Sequence, residues 1–139
     1  MNIYVSGSIY GGTQKIDTYK KLIDHLEKYG EVLTKQIADP NTIANEKYQS
    51  DEEIYNDLER KLEKADILIA EISVTSIGVG YEIGYASKLG KKIVAIYDET
   101  YTKKVTTMIR GNKKIELIPY KNIDEVLKKL DKIIDNIEK

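Results

Sequence analysis

A carboxylate, two hydroxyls and two glycine-bearing turns carry the chemistry this chain can offer. Ser73-Val-Thr-Ser76-Ile-Gly78-Val-Gly80-Tyr-Glu82-Ile-Gly84 follows the apolar run Ile67-Leu68-Ile69-Ala70 and precedes apolar residues at helical spacing, Val79, Ile83, Ala86 and Leu89. It reads as the turn between the end of a buried strand and the start of a helix. Gly78 and Gly80 let backbone approach a ligand, Ser76 supplies a hydroxyl, and the free amides of a new helix favour an anion. Glu82, about one turn inside the helix, can point back at that ligand, or serve only as a first-turn acid favoured by the helix dipole.

A second turn, Gly7-Ser8-Ile9-Tyr10-Gly11-Gly12-Thr13, follows the short β-prone run Asn2–Ser6. It lacks the Gly-Lys-Ser/Thr of a phosphate-binding loop and the G-x-G-x-x-G spacing of a dinucleotide fingerprint. Its amides and the Ser8 hydroxyl suit a phosphate; a tight turn that simply needs glycine explains it equally well. Such a site suits a phosphorylated small molecule with an electrophilic carbon near the carboxylate, which Glu82 could attack as nucleophile while a second carboxylate protonates or orients the leaving group, as in retaining glycosidases. Asp57 is the candidate partner, although it lies one position before Leu58, at the border of its helix's inner face, where a solvated charge is the ordinary outcome. No Ser-His-Asp or Cys-His arrangement is available, because His25 is the single histidine and there is no cysteine.

These turns need strands and helices to bring them together. Strands are expected at Asn2–Ser6, Glu31–Thr34, Asp66–Ile72, Lys92–Tyr97 and Ile115–Ile118, alternating with helices. Ile16, Tyr19, Leu22, Ile23 and Leu26 mark the first helix, which Gly30 closes. Ile54, Leu58 and Leu62 mark one over Asp51–Lys64, and Ile123 to Ile137 a terminal amphipathic helix. Residues 35–50 are polar, aperiodic and carry the Asp39-Pro40-Asn41 turn signal, a connection long enough to act as a lid. Val105–Gly111 reads as a short helix or turn. Strands alternating with helices pair in parallel through right-handed crossovers. The expectation is an α/β, three-layer, doubly wound five-stranded parallel sheet in the flavodoxin-like order 2-1-3-4-5. Its switch point lies between strands one and three, so both turns face one crevice.

Composition narrows the function classes. The 139 residues fit one domain, 1–139, and 22 Lys and Arg against 23 Asp and Glu give a net charge of −1. No global field draws nucleic acid or a membrane surface, so neither is expected as a partner. No apolar run is long enough to span a bilayer and the N-terminus enters a strand without a signal-like segment, so a cytoplasmic protein is expected. His25 has no second ligand at metal spacing, so no metal and no cofactor are expected.

Several blocks together resemble one family. Ile3 through Gly12, Tyr29-Gly-Glu-Val-Leu-Thr34, Ala65-Asp66 through Glu71, Ser76-Ile-Gly-Val-Gly-Tyr-Glu-Ile-Gly84 and Met108-Ile-Arg-Gly111 resemble the 2′-deoxynucleoside 5′-phosphate N-hydrolases of the nucleoside 2-deoxyribosyltransferase-like superfamily. The resemblance implies hydrolysis of the N-glycosidic bond of a deoxynucleoside monophosphate to free base and 2-deoxyribose 5-phosphate. It implies Glu82 as nucleophile, close enough to C2′ to crowd a ribose hydroxyl, and Tyr4 as the residue that supports Glu82. Ser8, Ile9, Gly11, Gly12, Ser76 and Gly78 would line the sugar-phosphate site, with Tyr10 and Gly80 in the same two turns. It also implies a homodimer with shared active sites, in which Thr106, where serine is usual, reaches the neighbour's phosphate. Two positions depart from the family pattern. Tyr10 stands where arginine is usual, which removes a charge-assisted phosphate contact. An ungapped alignment puts Leu58 where the catalytic aspartate belongs, and one residue turns a helix by roughly 100°. A base-exchanging deoxyribosyltransferase and a non-catalytic nucleotide-binding module remain the alternatives.

Overall fold

The computed structural model of the chain describes residues 1–9, 15–102 and 104–139. Strands β1 (Asn2–Gly7), β2 (Glu31–Val32), β3 (Ile67–Glu71), β4 (Lys92–Asp98) and β5 (Ile115–Tyr120) form one sheet in the order β2-β1-β3-β4-β5. Every pairing is parallel. Helices α1 (Ile16–Leu26), α2 (Thr42–Glu46), α3 (Asp51–Lys64), α4 (Ile77–Lys88), α5 (Thr107–Arg110) and α6 (Ile123–Glu138) connect or follow the strands. The expected topology and strand order are those observed.

Strand alternation divides the core. Ile3 and Val5 of β1 and Ile67 and Ile69 of β3 pack on one face, against Leu22, Leu26, Val126, Leu130 and Ile134 of α1 and α6. Tyr4, Leu68 and Ala70 point the other way, against Leu62 of α3 and Val79, Ile83 and Ala86 of α4. The central strands are buried on both faces, so they read as continuous apolar runs rather than alternating ones.

Two polar devices fix the loops at the carboxyl end of the sheet. Glu71 is buried at the end of β3 and accepts from the Ser73 backbone N–H at 2.7 Å, from Ser73 Oγ at 2.8 Å, and from the Tyr120 hydroxyl. Ser73 Oγ in turn accepts from the Asp98 backbone N–H at 2.8 Å. The ends of β3, β4 and β5 are thereby tied together, and the buried carboxylate has several donors, as its desolvation demands. On the neighbouring side, Lys15 Nζ pairs with Asp98 at 2.9 Å, and the Tyr19 hydroxyl donates to the Ser8 carbonyl at 2.9 Å. The chain is thus held on both sides of the first glycine turn, of which residues 10–14 lie outside the described residues.

The edge strand is shorter than expected, and the reason matters for the site. After Leu33 donates to the Ile3 carbonyl at 2.8 Å, the Thr34 side chain takes over. Its Oγ1 accepts from the Val5 N–H at 2.9 Å and donates to the Val5 carbonyl at 2.6 Å. A side chain satisfies the β1 backbone there, so the following chain peels away from the sheet. It turns through a 3₁₀ segment, Lys35–Ala38, into α2. The long polar connection is therefore partly helical, and it stands off from β1 to leave a cleft.

Candidate active site

The cleft opens at the switch point, between the end of β1 and the start of α4. Its volume is about 560 Å³, and its floor includes Tyr4, Ser6, Gly7, Ser76, Gly78 and Glu82. Strand alternation puts Tyr4 and Ser6 on the same face of β1. A helix that buries Val79 and Ile83 turns Glu82 toward them from the adjacent first turn. Gly7 and Ile9 on one side and Ser76 and Gly78 on the other line the same cleft.

The electrostatics of this floor are unusual. Tyr4 and Ser6 are each 1 % exposed. Their hydroxyls have no hydrogen-bond partner of normal geometry among the described residues. Yet both favour the ionised form of Glu82, against the larger effect of burial, which raises its pKa. The two hydroxyls lie close enough to the carboxylate to favour its charged form. Burial, and then the Glu82 charge, push the Tyr4 phenol far up, so it stays protonated and can only be a donor at neutral pH.

Asp57 also lines the cleft, as does Leu58. The one-residue offset does not turn Asp57 away, because the helix border itself forms the wall. Asp57 is held by Lys61 at 2.8 Å and Arg60 at 3.2 Å. The Lys61 contact leads the effects that lower its pKa. A carboxylate held ionised is suited to orienting a ligand or stabilising positive charge, and poorly suited to donating a proton.

Other expected residues separate. Ile9 lines the cleft; Ser8 beside it is buried and outside the lining. Ser76 lines it, but caps α4, its Oγ accepting from the Val79 N–H at 3.2 Å, so its remaining role toward a ligand is to donate. Gly80 stands apart from Gly78. The helix begins at Ile77, and Gly80 lies two residues beyond Gly78, roughly 200° around it. It is exposed and outside the cleft. Tyr10, Gly11 and Gly12 lie outside the described residues. Thr106 is exposed and caps α5. His25 pairs with Asp131 at 2.7 Å and joins α1 to α6. Among the described residues no cluster of His, Cys, Asp or Glu could hold a metal ion.

Residues that sequence reading passed over complete the walls. Ser6 follows from Tyr4 by the two-residue strand period, and Lys61 from Asp57 by the helical i, i+4 spacing. Gln36, Thr42, Asn45, Glu46 and Gln49 line the cleft from the peeled-away segment; the last four stand at helical spacing, but they are polar, so no apolar stripe marks them. Gly7 carries a testable constraint. A Cβ there would come within 2.6 Å of the Tyr19 ring and 2.9 Å of its hydroxyl. Gly7→Ala is expected to displace Tyr19 from the Ser8 carbonyl and destabilise the fold by about 1–3 kcal/mol. Urea denaturation checks it; an unchanged midpoint would show that Tyr19 yields freely.

Fold and site together define a doubly wound α/β protein with a partly buried, hydroxyl-flanked carboxylate at its switch point, in a cleft that Gly7 and Gly78 also line. The nucleoside 2-deoxyribosyltransferase family model matches residues 3–126, and the chain belongs to that family. It is 36 % identical to a putative 2′-deoxynucleoside 5′-phosphate N-hydrolase 1 of Thermofilum pendens, over 96 % of this chain and 95 % of that one. It is 36 % identical to a 5-hydroxymethyl-dUMP N-hydrolase of Esox lucius, over 80 % of this chain and 79 % of that one. Among solved structures, a Clostridium botulinum CMP N-glycosidase is similar with a TM-score of 0.68 at 26 % identity, covering 94 % of this chain and 99 % of that one. The family resemblance in the sequence agrees with these findings. No helix among the described residues is long and apolar enough to cross a membrane.

Proposed function

We propose that this protein is an N-glycosidase that hydrolyses 2′-deoxynucleoside 5′-monophosphates to free base and 2-deoxyribose 5-phosphate. The observation that carries the reading is the Glu82 carboxylate, raised in pKa by burial and faced by the Tyr4 and Ser6 hydroxyls at the switch point. Relatives named as N-hydrolases of deoxynucleoside monophosphates support the same class of substrate.

In the proposed reaction a Glu82 oxygen bonds to C1′ as the C1′–N bond breaks, and the bonding pair leaves on the base nitrogen. Water then attacks C1′, the ester bond to Glu82 breaks, and the carboxylate is regenerated. The water supplies hydroxyl to the sugar and a proton to the base. Asp57, held ionised by Lys61, orients the substrate and stabilises the positive charge that develops on the sugar ring. Gly7, Ile9, Ser76 and Gly78 take the sugar-phosphate end, with Ser8, Tyr10, Gly11 and Gly12, neighbours of Ile9 in the sequence, proposed for the same role. A cytoplasmic homodimer is part of the reading. Ile77 is 93 % exposed and Met108 81 % exposed, apolar surface beside Ser76 and Thr106 that a second copy would cover, with Thr106 reaching the neighbour's phosphate.

A ribonucleotide substrate is the second reading, since the similar solved structure is of an enzyme named for CMP. Chromatographic product analysis separates the cases. The protein is incubated with deoxynucleoside monophosphates, their ribo counterparts and free nucleosides, with and without a second base. Base released from deoxy monophosphates at least about tenfold faster than from ribo forms, without exchange, is the expected result. Release from ribo forms alone would move the assignment to ribonucleotides, exchange between nucleosides would make the protein a transferase, and no release from any substrate would overturn the enzyme reading.

A further inference from the structure

The proposed reaction leaves one need unmet. As the C1′–N bond breaks, the bonding pair collects on the base, and a base that must depart as an anion departs slowly. A group at the base end has to give it a proton. Asp57 is held ionised by Lys61, so it has none to give. Besides the carboxylates, the groups with a titratable proton that line the cleft among the described residues are Tyr4, Tyr55 and Lys61. Burial and the Glu82 charge keep the proton on Tyr4, and hydrogen bonding to Glu59 and Tyr81 keeps it on Tyr55. Lys61 is left.

Its position fits the task. Helix α3 turns Ile54, Asp57, Leu58 and Lys61 to the cleft, the i, i+3, i+4 and i+7 positions of one face. A helical side chain leans toward the helix N-terminus, which carries the Lys61 ammonium back to the Asp57 carboxylate at 2.8 Å. The Asp57 charge is felt by Tyr4 on the floor, so the pair stands close to the bond that breaks. Arg60, the other partner of Asp57 at 3.2 Å, is 71 % exposed and outside the lining. An ammonium has three N–H groups, and the contact with Asp57 engages one of them. The pair offers both charges the step calls for: negative for the sugar ring, which gains positive charge, and positive for the base, which gains negative charge.

Resting on the N-glycosidase reading, we propose that Lys61 is the acid that protonates the leaving base. An ammonium N–H donates to the base, at a pyrimidine O2 or a purine N3, as the C1′–N bond lengthens. The bonding pair goes to the base, the proton follows it, and Lys61 is left as the neutral amine. In the second step the amine takes a proton from the water that attacks C1′, which restores the ammonium. The water thus supplies the sugar hydroxyl directly and the base proton through Lys61.

The experiment compares the wild type, Lys61→Met and Lys61→Arg on pairs of substrates that differ in how much the base needs a proton. Each deoxynucleoside monophosphate that the wild type cleaves is paired with a form whose base leaves more readily. A 5-fluoro group on a pyrimidine stabilises the departing anion, and a 7-methyl group on a purine lets the base leave as a neutral molecule. The readout is kcat/KM for base release. Lys61→Met keeps the stem and loses the proton. It is expected to lose about a hundredfold or more on the ordinary nucleotide and about tenfold or less on the activated one. Lys61→Arg keeps a cation beside Asp57 but cannot give up a proton, and is expected to show the same contrast. The ratio of the two substrates on one preparation does not depend on how much of it is folded, so misfolding cannot imitate the result. Equal losses on both members of a pair, or an arginine variant as active as the wild type, would overturn the assignment of Lys61 and leave the hydrolase standing. A wild type that releases base from no nucleotide would overturn both.

Discussion

Glu82→Gln is expected to lower base release from deoxynucleoside monophosphates by at least about a thousandfold while leaving the protein folded and better able to withstand heat. The first half follows from the role: an amide oxygen cannot form the ester to C1′, and the flanking donors act through that oxygen. The second half follows from burial. The folded-state pKa of Glu82 is raised above its unfolded value, with burial as the leading cause. The stability this contributes is fully present below the unfolded pKa and is lost as pH rises through the folded one. At neutral pH the wild type therefore carries the cost of an ionised, desolvated carboxylate. Glutamine keeps an acceptor for Tyr4 and Ser6 and removes the charge. The variant is expected to melt about 2–5 °C higher near pH 7, with the difference closing on the order of pH 4, where wild-type Glu82 is protonated. Calorimetric melting across pH beside a product assay reads both. Retained turnover would sink the nucleophile assignment, and a variant less stable at pH 7 would make Glu82 a structural carboxylate.

The legible part of this molecule was the part governed by period. Apolar runs and helical stripes define the five parallel strands and the longer helices, and the order 2-1-3-4-5 follows from the crossover rule. Strand order then put the ends of β1 and β3 side by side, which singled out Glu82 as a candidate, whereas Tyr4 came only from the family resemblance. What resisted reading was decided by side chains acting across the fold. Thr34 replaces a strand pairing with its own hydroxyl, so β2 stops at Val32 where a longer strand was expected. Its departure creates the cleft wall, whose lining residues are mostly polar, so no apolar stripe marks them. Gly80 lies outside the cleft lining for a smaller reason. The helix starts at Ile77, so a glycine expected in the turn is carried around to the solvent side. Asp57 shows the opposite case, since the position that seemed displaced is a cleft residue, and its pairing with Lys61 defines its charge.

Tyr4→Phe is expected to cost about ten- to a hundredfold in kcat/KM with only a small change in stability, a combination that a structural tyrosine would not give. The Tyr4 hydroxyl is buried and makes no hydrogen bond of normal geometry among the described residues, so its removal leaves no orphaned partner in the resting protein. Replacing an unpartnered buried hydroxyl by hydrogen at constant shape is close to neutral or stabilising. In the reaction the same hydroxyl has work to do. When the glycosyl ester on Glu82 is hydrolysed, negative charge returns to the carboxylate as it leaves C1′, and a donor aimed at that oxygen lowers the barrier. A hydrogen bond to a charged group is worth about 1.5–3 kcal/mol, which sets the expected fold-change. The second step should slow more than the first. Rapid-quench kinetics with the variant should show a burst of free base followed by slow turnover, and intact-mass spectra should show the covalent sugar-phosphate adduct. The pH profile gives an independent reading. Tyr4 favours the ionised form of Glu82, so losing it raises the carboxylate pKa further and moves the acid limb of the rate profile to higher pH. Wild-type kinetics with an unmoved acid limb would remove Tyr4 from the mechanism, and a large fall in melting temperature would make it a core residue whose hydroxyl is incidental.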